Sequence, residues 1–173
     1  MVRSRSAEYL IASNQIGVWG FSAGGHLAST LGTHFDAGDS NASDPIERVS
    51  CRPDFLVLAY PVISFTTQYT HRGSLRNLLG DNPDPKLVEE FSNEKQVTKD
   101  TPPTFLFHTD EDDGVPPENS VLFYLALRKA GVPAELHIYQ HGYHGVGLAP
   151  TDQVLSTWSD RLADWLKARS WVR

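Results

Sequence analysis

The chain has 173 residues, a length that suits a single domain with its own hydrophobic core. Its formal net charge is −6 and it has no cluster of Lys and Arg, which argues against a nucleic-acid partner. The single cysteine, Cys51, excludes an intrachain disulfide. No apolar run is long enough to span a membrane, and none follows the basic residues 1–6 as in a signal peptide. We therefore expect a cytoplasmic location, although a longer parent protein could be secreted.

Short apolar runs alternate with helical periodicity along the chain. We predict strands at residues 16–19, 55–60, 104–108 and 134–139, and helices at residues 7–12, 24–34, 117–130 and 152–168. The second and third runs are apolar at nearly every position, which is typical of parallel strands covered on both faces. The fourth run alternates more, as edge strands do. This order predicts an α/β fold with a parallel sheet.

One long stretch, residues 61–103, interrupts the alternation of strands and helices. It is too long for a plain loop, and it holds a turn-rich segment at 79–85 and a predicted short helix at 86–93. We interpret residues 1–173 as one domain that carries an insertion around residues 62–103. The insertion is either a cap over a site or a structural crossover.

A serine lies between glycines where the first strand passes into a helix, in the segment Gly20-Phe21-Ser22-Ala23-Gly24. This pattern is typical of a nucleophile elbow, whose sharp turn strains the serine backbone and exposes the hydroxyl at the end of a sheet. We predict that Ser22 is a nucleophile. We also predict that Gly20 and Gly24 are required, because side chains there would collide with the helix over the turn. The alternative is a glycine-rich turn without chemistry.

A serine nucleophile needs a histidine to take its proton and an acid to orient that histidine. After an elbow of this kind, the acid precedes the histidine in the chain. The loop after the third strand offers four carboxylates, residues 110–113. We favour Asp112, three residues before Val115, with Asp113 as the alternative. A metal site is disfavoured because these residues lack the alternating pattern of a Ca²⁺ loop.

The loop after the fourth strand supplies the candidate base. Small residues flank His144, so the loop can carry its ring across the sheet end to Ser22. We favour His144 over His141, which adjoins the strand. We expect His26 to pack or to form hydrogen bonds locally. The remaining histidines show no partner pattern: His34, His71, His108 and His137.

Several segments together resemble α/β-hydrolase esterases, most closely the acetyl-xylan-esterase and carboxylesterase-like branch. They are residues 20–28, 60–63, 74–80, 112–116, 133–139 and 144–145. The resemblance extends over about residues 14–165. It implies Ser22 as nucleophile, Asp112 as acid and His144 as base, with no cofactor. It also implies short-chain acyl esters, such as acetylated sugars, as substrates.

Enzymes of this kind carry several strands and a His-Gly-Gly-type loop before the elbow. That loop adds a second backbone N–H to the oxyanion hole, beside the N–H after the nucleophile, here that of Ala23. Only about a dozen residues precede the elbow strand in this sequence. We therefore expect the C-terminal part of an α/β-hydrolase fold, lacking the first strands. Its activity is expected to be low, since losing one such donor costs about 10²–10³ in rate.

The predicted edge of the elbow strand is apolar and unpaired, which favours a homodimer or larger homo-oligomer. Three functions remain in competition. The favoured one is a serine esterase acting on short-chain or acetyl esters through an acyl-enzyme. The others are a weak or inactive hydrolase fragment that serves as an assembly or binding unit, and a peptidase or amidase on the same fold.

Overall fold

The computed structural model describes residues 1–172. Its strands are β1 (Gly17–Phe21), β2 (Phe55–Ala59), β3 (Thr104–Thr109) and β4 (Ala134–Tyr139). Its α-helices are α1 (Ala23–Thr33), α2 (Arg72–Leu79), α3 (Pro85–Glu90), α4 (Glu118–Lys129) and α5 (Trp158–Ala168). Short 3₁₀ helices occur at Arg3–Arg5, Asn93–Lys95 and Leu155–Thr157. No helix within residues 1–172 is both long enough and apolar enough to cross a membrane.

The strands form one parallel sheet in the order β1-β2-β3-β4. The predicted α/β class and parallel sheet are therefore confirmed. Because all strands run the same way, their carboxyl ends meet at one edge of the sheet, where ligand sites of open α/β sheets form. Among the described residues, β1 and β4 are the outer strands, and the prediction of an edge position for β4 is correct.

Two hydrophobic clusters cover the two faces of the sheet. On one face, Phe105 and Phe107 of β3 pack against Trp158 and Trp165 of α5. The rings of Phe107 and Trp158 are stacked with centroids 4.5 Å apart. On the other face, alternate residues of β2 and β3 pack against α1 and α4. Burial on both faces explains why β2 and β3 are almost continuously apolar.

Residues 62–103 form α2, α3 and a 3₁₀ turn rather than an open loop. They bury a small cluster of their own, in which Val62 and Phe65 pack with Val115 from the loop after β3. The prediction of a short helix near residue 86 is confirmed as α3, whereas α2 was not predicted. The N-cap of α2 is His71, whose Nδ1 accepts a hydrogen bond from the Ser74 N–H. The residues that usually mark a helix start are Ser, Thr, Asn and Asp, so this cap is not a recognisable sequence signal.

The predicted helix at residues 7–12 is wrong. Residues 7–10 form turns and residues 11–12 have no regular structure, and Leu10 has a φ of +54°, which ends any helical run. Tertiary contacts hold the N-terminal segment instead: the Arg3 guanidinium donates to the carbonyls of Ser50 and Arg52 and pairs with Asp54. Six residues are also too few to sustain an isolated helix in water.

Candidate active site

Ser22 lies in the sharp turn between β1 and α1. Its backbone has φ 52° and ψ −123°, a conformation that strains any residue with a side chain. The neighbouring strand holds it in place, because the Ser22 N–H donates to the Ala59 carbonyl and the Ser22 carbonyl accepts from the Val62 N–H, both at 3.1 Å. The turn thus has the geometry that the sequence predicts for an elbow.

Two glycines allow the turn and the helix to pack closely. A Cβ on Gly20 would lie 2.2 Å from the Gly24 carbonyl oxygen, so Gly20 is required as predicted. The prediction for Gly24 is wrong, because no neighbouring heavy atom lies within 4 Å of a Cβ placed there. The constraint falls one residue later: a Cβ on Gly25 would lie 2.6 Å from the Cβ of Pro61. The helix approaches the chain after β2 at Gly25, and a single sequence does not reveal that contact.

His144 lies beside Ser22, with its Nε2 2.7 Å from the Ser22 Oγ. The loop that carries it includes Gly142 and Gly145, which both have positive φ. A Cβ on Gly142 would lie 2.7 Å from the Thr109 side chain, so the loop needs glycine there for space as well. The ring of Tyr60 meets the imidazole edge-on, at a centroid distance of 5.2 Å, and restricts its rotation.

The Asp112 side chain is fully buried behind His144. Its Oδ2 accepts a hydrogen bond from His144 Nδ1 at 2.7 Å, and its Oδ1 accepts from the N–H groups of Gly114 and Val115. Burial tends to raise the pKa of the carboxyl, but the nearby His108 imidazole and hydrogen bonds from Val115 and His144 outweigh burial and hold the pKa below its usual value. Asp112 therefore stays ionised at neutral pH.

The alternative acid and base lie elsewhere. Asp113 is exposed on the surface. His141 is exposed as well, and its Nδ1 lies 2.7 Å from a carboxylate oxygen of Glu111. Of the candidates in these two loops, the structure brings Asp112 and His144 to Ser22 and leaves Asp113 and His141 at the periphery.

His26, in the first turns of α1, is buried; its Nδ1 lies 3.5 Å from the Thr30 hydroxyl one turn later, and its shorter bond crosses the fold. Its Nε2–H donates to the Phe91 carbonyl at 2.8 Å, and its ring stacks on Phe65 at 4.5 Å. Burial is the main reason that its pKa is lowered, so the imidazole is neutral at pH 7. His26 therefore ties α1 to the segment of residues 62–103.

Sequence patterns do not single out His108, yet it lies directly behind Asp112. Its ring is completely buried, and its Nε2 lies 3.4 Å from Asp112 Oδ2. The spacing of four residues from Asp112 is the one local signal that was available. The other partners of the ring, Val115 and Ser120, come from a loop and a helix whose positions only the fold decides.

Ala23 is the first residue of α1, where backbone N–H groups have no acceptor within the helix and the helix dipole favours negative charge. A cavity of about 360 Å³ opens beside it, lined mainly by apolar side chains that include Leu27, Phe65, Leu78 and Phe91.

A larger cavity of about 720 Å³, beside Ile16 and Val18, has none of the candidate site residues in its lining. Within residues 1–172, no group of three or more His, Cys, Asp or Glu side chains is arranged to hold a metal ion.

Chemically, this arrangement can activate a hydroxyl. The carboxylate of Asp112 accepts the Nδ1–H of His144, which leaves Nε2 unprotonated and able to accept the Ser22 proton. The hydroxyl faces the carboxyl edge of the sheet, next to a helix N-terminus that can stabilise an anion.

Known proteins with similar sequences include polysaccharide-degrading enzymes. Endo-1,4-beta-xylanase B of Butyrivibrio fibrisolvens is 42% identical over 158 residues, which are 91% of this chain and 24% of that protein. Acetylxylan esterase of Xylanibacter ruminicola is 35% identical over 172 residues, which are 97% of this chain and 33% of that protein. This chain thus spans a third or less of each of these curated relatives.

A similar solved structure is the acetyl ester-xyloside bifunctional hydrolase from Caldicellulosiruptor lactoaceticus. It superposes with a TM-score of 0.97 at 53% identity, over 99% of this chain and 63% of that chain. The likeness, together with the parallel sheet, confirms the predicted α/β-hydrolase fold and the resemblance to esterases of the acetyl-xylan-esterase type. The family model for BD-FAE matches residues 1–127, which include Ser22 and Asp112. Since that match extends over most of the sequence, the chain belongs to the BD-FAE family.

Proposed function

We propose that this chain carries the catalytic centre of a serine esterase that hydrolyses short-chain acyl esters, acetyl esters above all. The observation that carries the proposal is the pair of 2.7 Å hydrogen bonds that join Ser22 Oγ to His144 Nε2 and His144 Nδ1 to Asp112 Oδ2. The choice of acetyl esters is supported by the similarity to an acetylxylan esterase and to an acetyl ester-xyloside hydrolase.

In the acylation step, Ser22 Oγ attacks the ester carbonyl carbon while its proton passes to His144 Nε2. Asp112, ionised and hydrogen-bonded to Nδ1, stabilises the imidazolium that forms. The Ala23 N–H, at the positive end of α1, faces the oxygen that becomes negative. The tetrahedral intermediate then expels the alcohol, which takes the proton from Nε2, and the acyl group stays on Ser22.

Deacylation follows the same route with water as the nucleophile. Water loses a proton to His144 Nε2 and attacks the acyl carbonyl, and the bond from the acyl carbon to Ser22 Oγ breaks. Ser22 recovers its proton from Nε2, and the carboxylic acid is released. In this cycle Ser22 is the nucleophile, His144 transfers the protons, Asp112 supports His144, and the Ala23 N–H is one donor to the oxyanion.

We also propose that residues 62–103 act as a cap that shapes the substrate site. Phe65, Leu78 and Phe91 from this segment form part of the cavity beside Ala23. Their position supports the cap interpretation over a plain crossover, because a crossover has no need to reach the elbow.

Hydrolysis of p-nitrophenyl acetate, butyrate and octanoate tests the function. Ser22→Ala is expected to lower kcat/KM on the acetate by at least about 10³-fold, because the nucleophile is lost. Ser40→Ala, a change at an exposed serine remote in sequence from the elbow, is the matched control. Equal activity of wild type and Ser22→Ala would contradict the proposal.

The same proteins distinguish the competing functions. A fluorophosphonate should add one adduct per chain in wild type and none in Ser22→Ala, measured by intact mass. Labelling without ester hydrolysis, together with cleavage of an amide or peptide series, would favour the peptidase or amidase. Absence of both labelling and hydrolysis would favour the inactive assembly unit.

We further propose that the chain self-associates through the outer edge of β1. Within the described sheet, this edge has no strand partner, and Trp19 and Phe21 are partly exposed beside it, with 46% and 38% of their surfaces accessible. An unpaired strand edge with apolar side chains favours association with another chain.

A further inference from the structure

His108 is a buried titratable residue that the proposed cycle does not use. It lies at the end of β3 with none of its surface exposed. Its Nε2 is 2.8 Å from the Val115 carbonyl oxygen, and its Nδ1 is 2.7 Å from the Ser120 Oγ on α4. Because a carbonyl can only accept a hydrogen bond, Nε2 carries a proton.

The same Nε2–H also faces the catalytic carboxylate. The distance from His108 Nε2 to Asp112 Oδ2, the oxygen that accepts from His144 Nδ1, is 3.4 Å. This distance is long for a hydrogen bond, so the contact is chiefly electrostatic, while the shorter bond goes to Val115. Val115 in turn donates its N–H to Asp112 Oδ1 at 2.8 Å. One imidazole therefore acts on both oxygens of Asp112, on one directly and on the other through Val115.

We propose that His108, oriented by Ser120, is a positioning residue that fixes the Asp112 carboxylate and limits its basicity, and thereby sets the pH at which His144 is available as a base. This inference rests on the proposed function, since it assigns His144 the role of base. His108 itself touches neither the substrate nor the reacting atoms.

The direction of the effect follows from electrostatics. An N–H dipole aimed at a carboxylate stabilises the negative charge, lowers the basicity of the oxygen and so makes it a weaker acceptor for a second donor. Without that dipole, Asp112 would bind the His144 Nδ1–H more strongly and favour the imidazolium. His144 would then titrate at a higher pH, and the acidic limb of the kcat/KM profile would move with it. The contact with His108 is one of the causes that lower the pKa of Asp112.

Other titratable groups surround Asp112 and His144. Those on the neighbouring segments are Tyr60 at the end of β2, Asp110, Glu111 and Asp113 beside Asp112, Glu118 at the start of α4, and His141 and Tyr143 beside His144. Burial is the main reason that the pKa of Tyr60 is raised, so its phenol stays neutral. The hydrogen bond from His141 lowers the pKa of Glu111, so this carboxylate stays ionised near neutral pH. His141 is an exposed imidazole in the loop that carries His144, and its Nδ1 lies 2.7 Å from Glu111, so it serves as the control.

The experiment compares three variants with wild type and with His141→Gln. His108→Met removes the donor at similar volume, His108→Gln keeps an N–H at the same reach, and Ser120→Ala removes only the distal bond. The first readout is the titration of the His144 imidazole by NMR, assigned from the signal that disappears in His144→Ala. The second is the pH dependence of kcat/KM on p-nitrophenyl acetate.

In His108→Met, we expect the midpoint of the His144 titration and the acidic limb of the kcat/KM profile to move together to a higher pH. The expected shift is about half a pH unit or more, which is the size of one lost hydrogen bond. We expect kcat/KM at its plateau to fall roughly three- to tenfold. His108→Gln should keep both the His144 titration midpoint and the plateau kcat/KM close to the wild-type values. Ser120→Ala should raise the titration midpoint by a smaller amount than His108→Met. His141→Gln should leave the His144 titration in place.

An unmoved His144 titration in folded His108→Met would overturn the inference and make His108 a packing residue. If His108→Met does not fold, Ser120→Ala is the deciding variant. An unchanged His144 titration midpoint in Ser120→Ala would then overturn the inference. Failure of the proposed function has a different signature. Wild type would then not hydrolyse the ester, whereas the NMR titration would still report whether His108 controls His144.

Discussion

At the scale of single residues, the site depends on a strained serine held by its neighbours. Ser22 has φ 52° and ψ −123°, a region that glycine enters freely and other residues do not. Hydrogen bonds to Ala59 and Val62 on either side compensate for that strain. The strained backbone of Ser22 directs its hydroxyl to His144 and lowers the stability of the fold. The hydrogen bonds to the neighbouring chain offset this loss.

Ser22→Gly should therefore be more stable than Ser22→Ala, although both variants lack the hydroxyl. Alanine keeps a Cβ in the strained conformation, whereas glycine relieves it, so we expect a difference of about 1 kcal/mol or more in the free energy of unfolding. Urea denaturation followed by circular dichroism measures it. Equal stability of the two variants would show that the turn stores no strain at Ser22.

The low pKa of Asp112 makes stability depend on pH. Because the folded protein lowers this pKa from its ordinary 3.8, the ionised carboxylate stabilises the fold fully above that value, and the contribution is lost as the pH falls through the lowered pKa. Between pH 5 and pH 2.5, Asp112→Asn should lose less stability than wild type in urea titrations. Asp113→Asn, at the exposed neighbour, should follow the wild-type curve.

At the scale of elements, α1 is held close to the chain that follows β2 and to the segment of residues 62–103. Gly25 meets Pro61 across this contact, and His26 donates to the Phe91 carbonyl. The side-chain amide of Asn93, fully buried, donates to the carbonyl of His26 and to the hydroxyl of Ser29. Polar bonds and close packing together therefore fix the helix that begins at the elbow.

Adjacent glycines in α1 should respond in opposite ways to alanine. Gly25→Ala places a Cβ 2.6 Å from Pro61, and the overpacking should cost about 1–3 kcal/mol and displace the elbow. Gly24→Ala meets no neighbour and should stabilise the helix by up to about 1 kcal/mol. Thermal unfolding and fluorophosphonate labelling of both variants test this. Loss of stability in Gly24→Ala would contradict the packing described.

At the scale of the whole molecule, the sheet is covered on both faces but not along β1. Trp19 and Phe21 stack at 5.2 Å on one face of this strand, and Trp158 meets Trp19 edge-on. The aromatic group stays partly exposed at the sheet edge. This is the surface that the proposed self-association would cover.

Light scattering coupled to size-exclusion chromatography should show a dimer or larger species whose share grows with protein concentration. Trp19→Lys places a charge at the strand edge and should shift the protein towards the monomer. Leu125→Lys, at an exposed position on α4, is the control and should leave the distribution unchanged. A wild-type monomer at all micromolar concentrations would rule out the proposed association.

Much of this fold could be predicted from local patterns. The predicted strand at 134–139 coincides with β4, and the other three differ from the observed strands by no more than two residues at either end. The failures have different causes. The helix predicted at residues 7–12 is interrupted at Leu10, which has a positive φ. The helix α2 lacks a familiar start signal, because its cap is a histidine.

The sequence alone determined the strand–turn–helix around Ser22 and singled out Asp112 and His144 as its partners, because strand periodicity, glycine spacing and loop order are local properties of the chain. Only the tertiary structure decided that Gly25 rather than Gly24 must be glycine, and that His108 stands behind Asp112. The partners of these two residues, Pro61, Val115 and Ser120, are brought to them by the packing of a helix and two loops against the sheet. Such contacts depend on distances between segments, and those distances exist only once the sheet has formed.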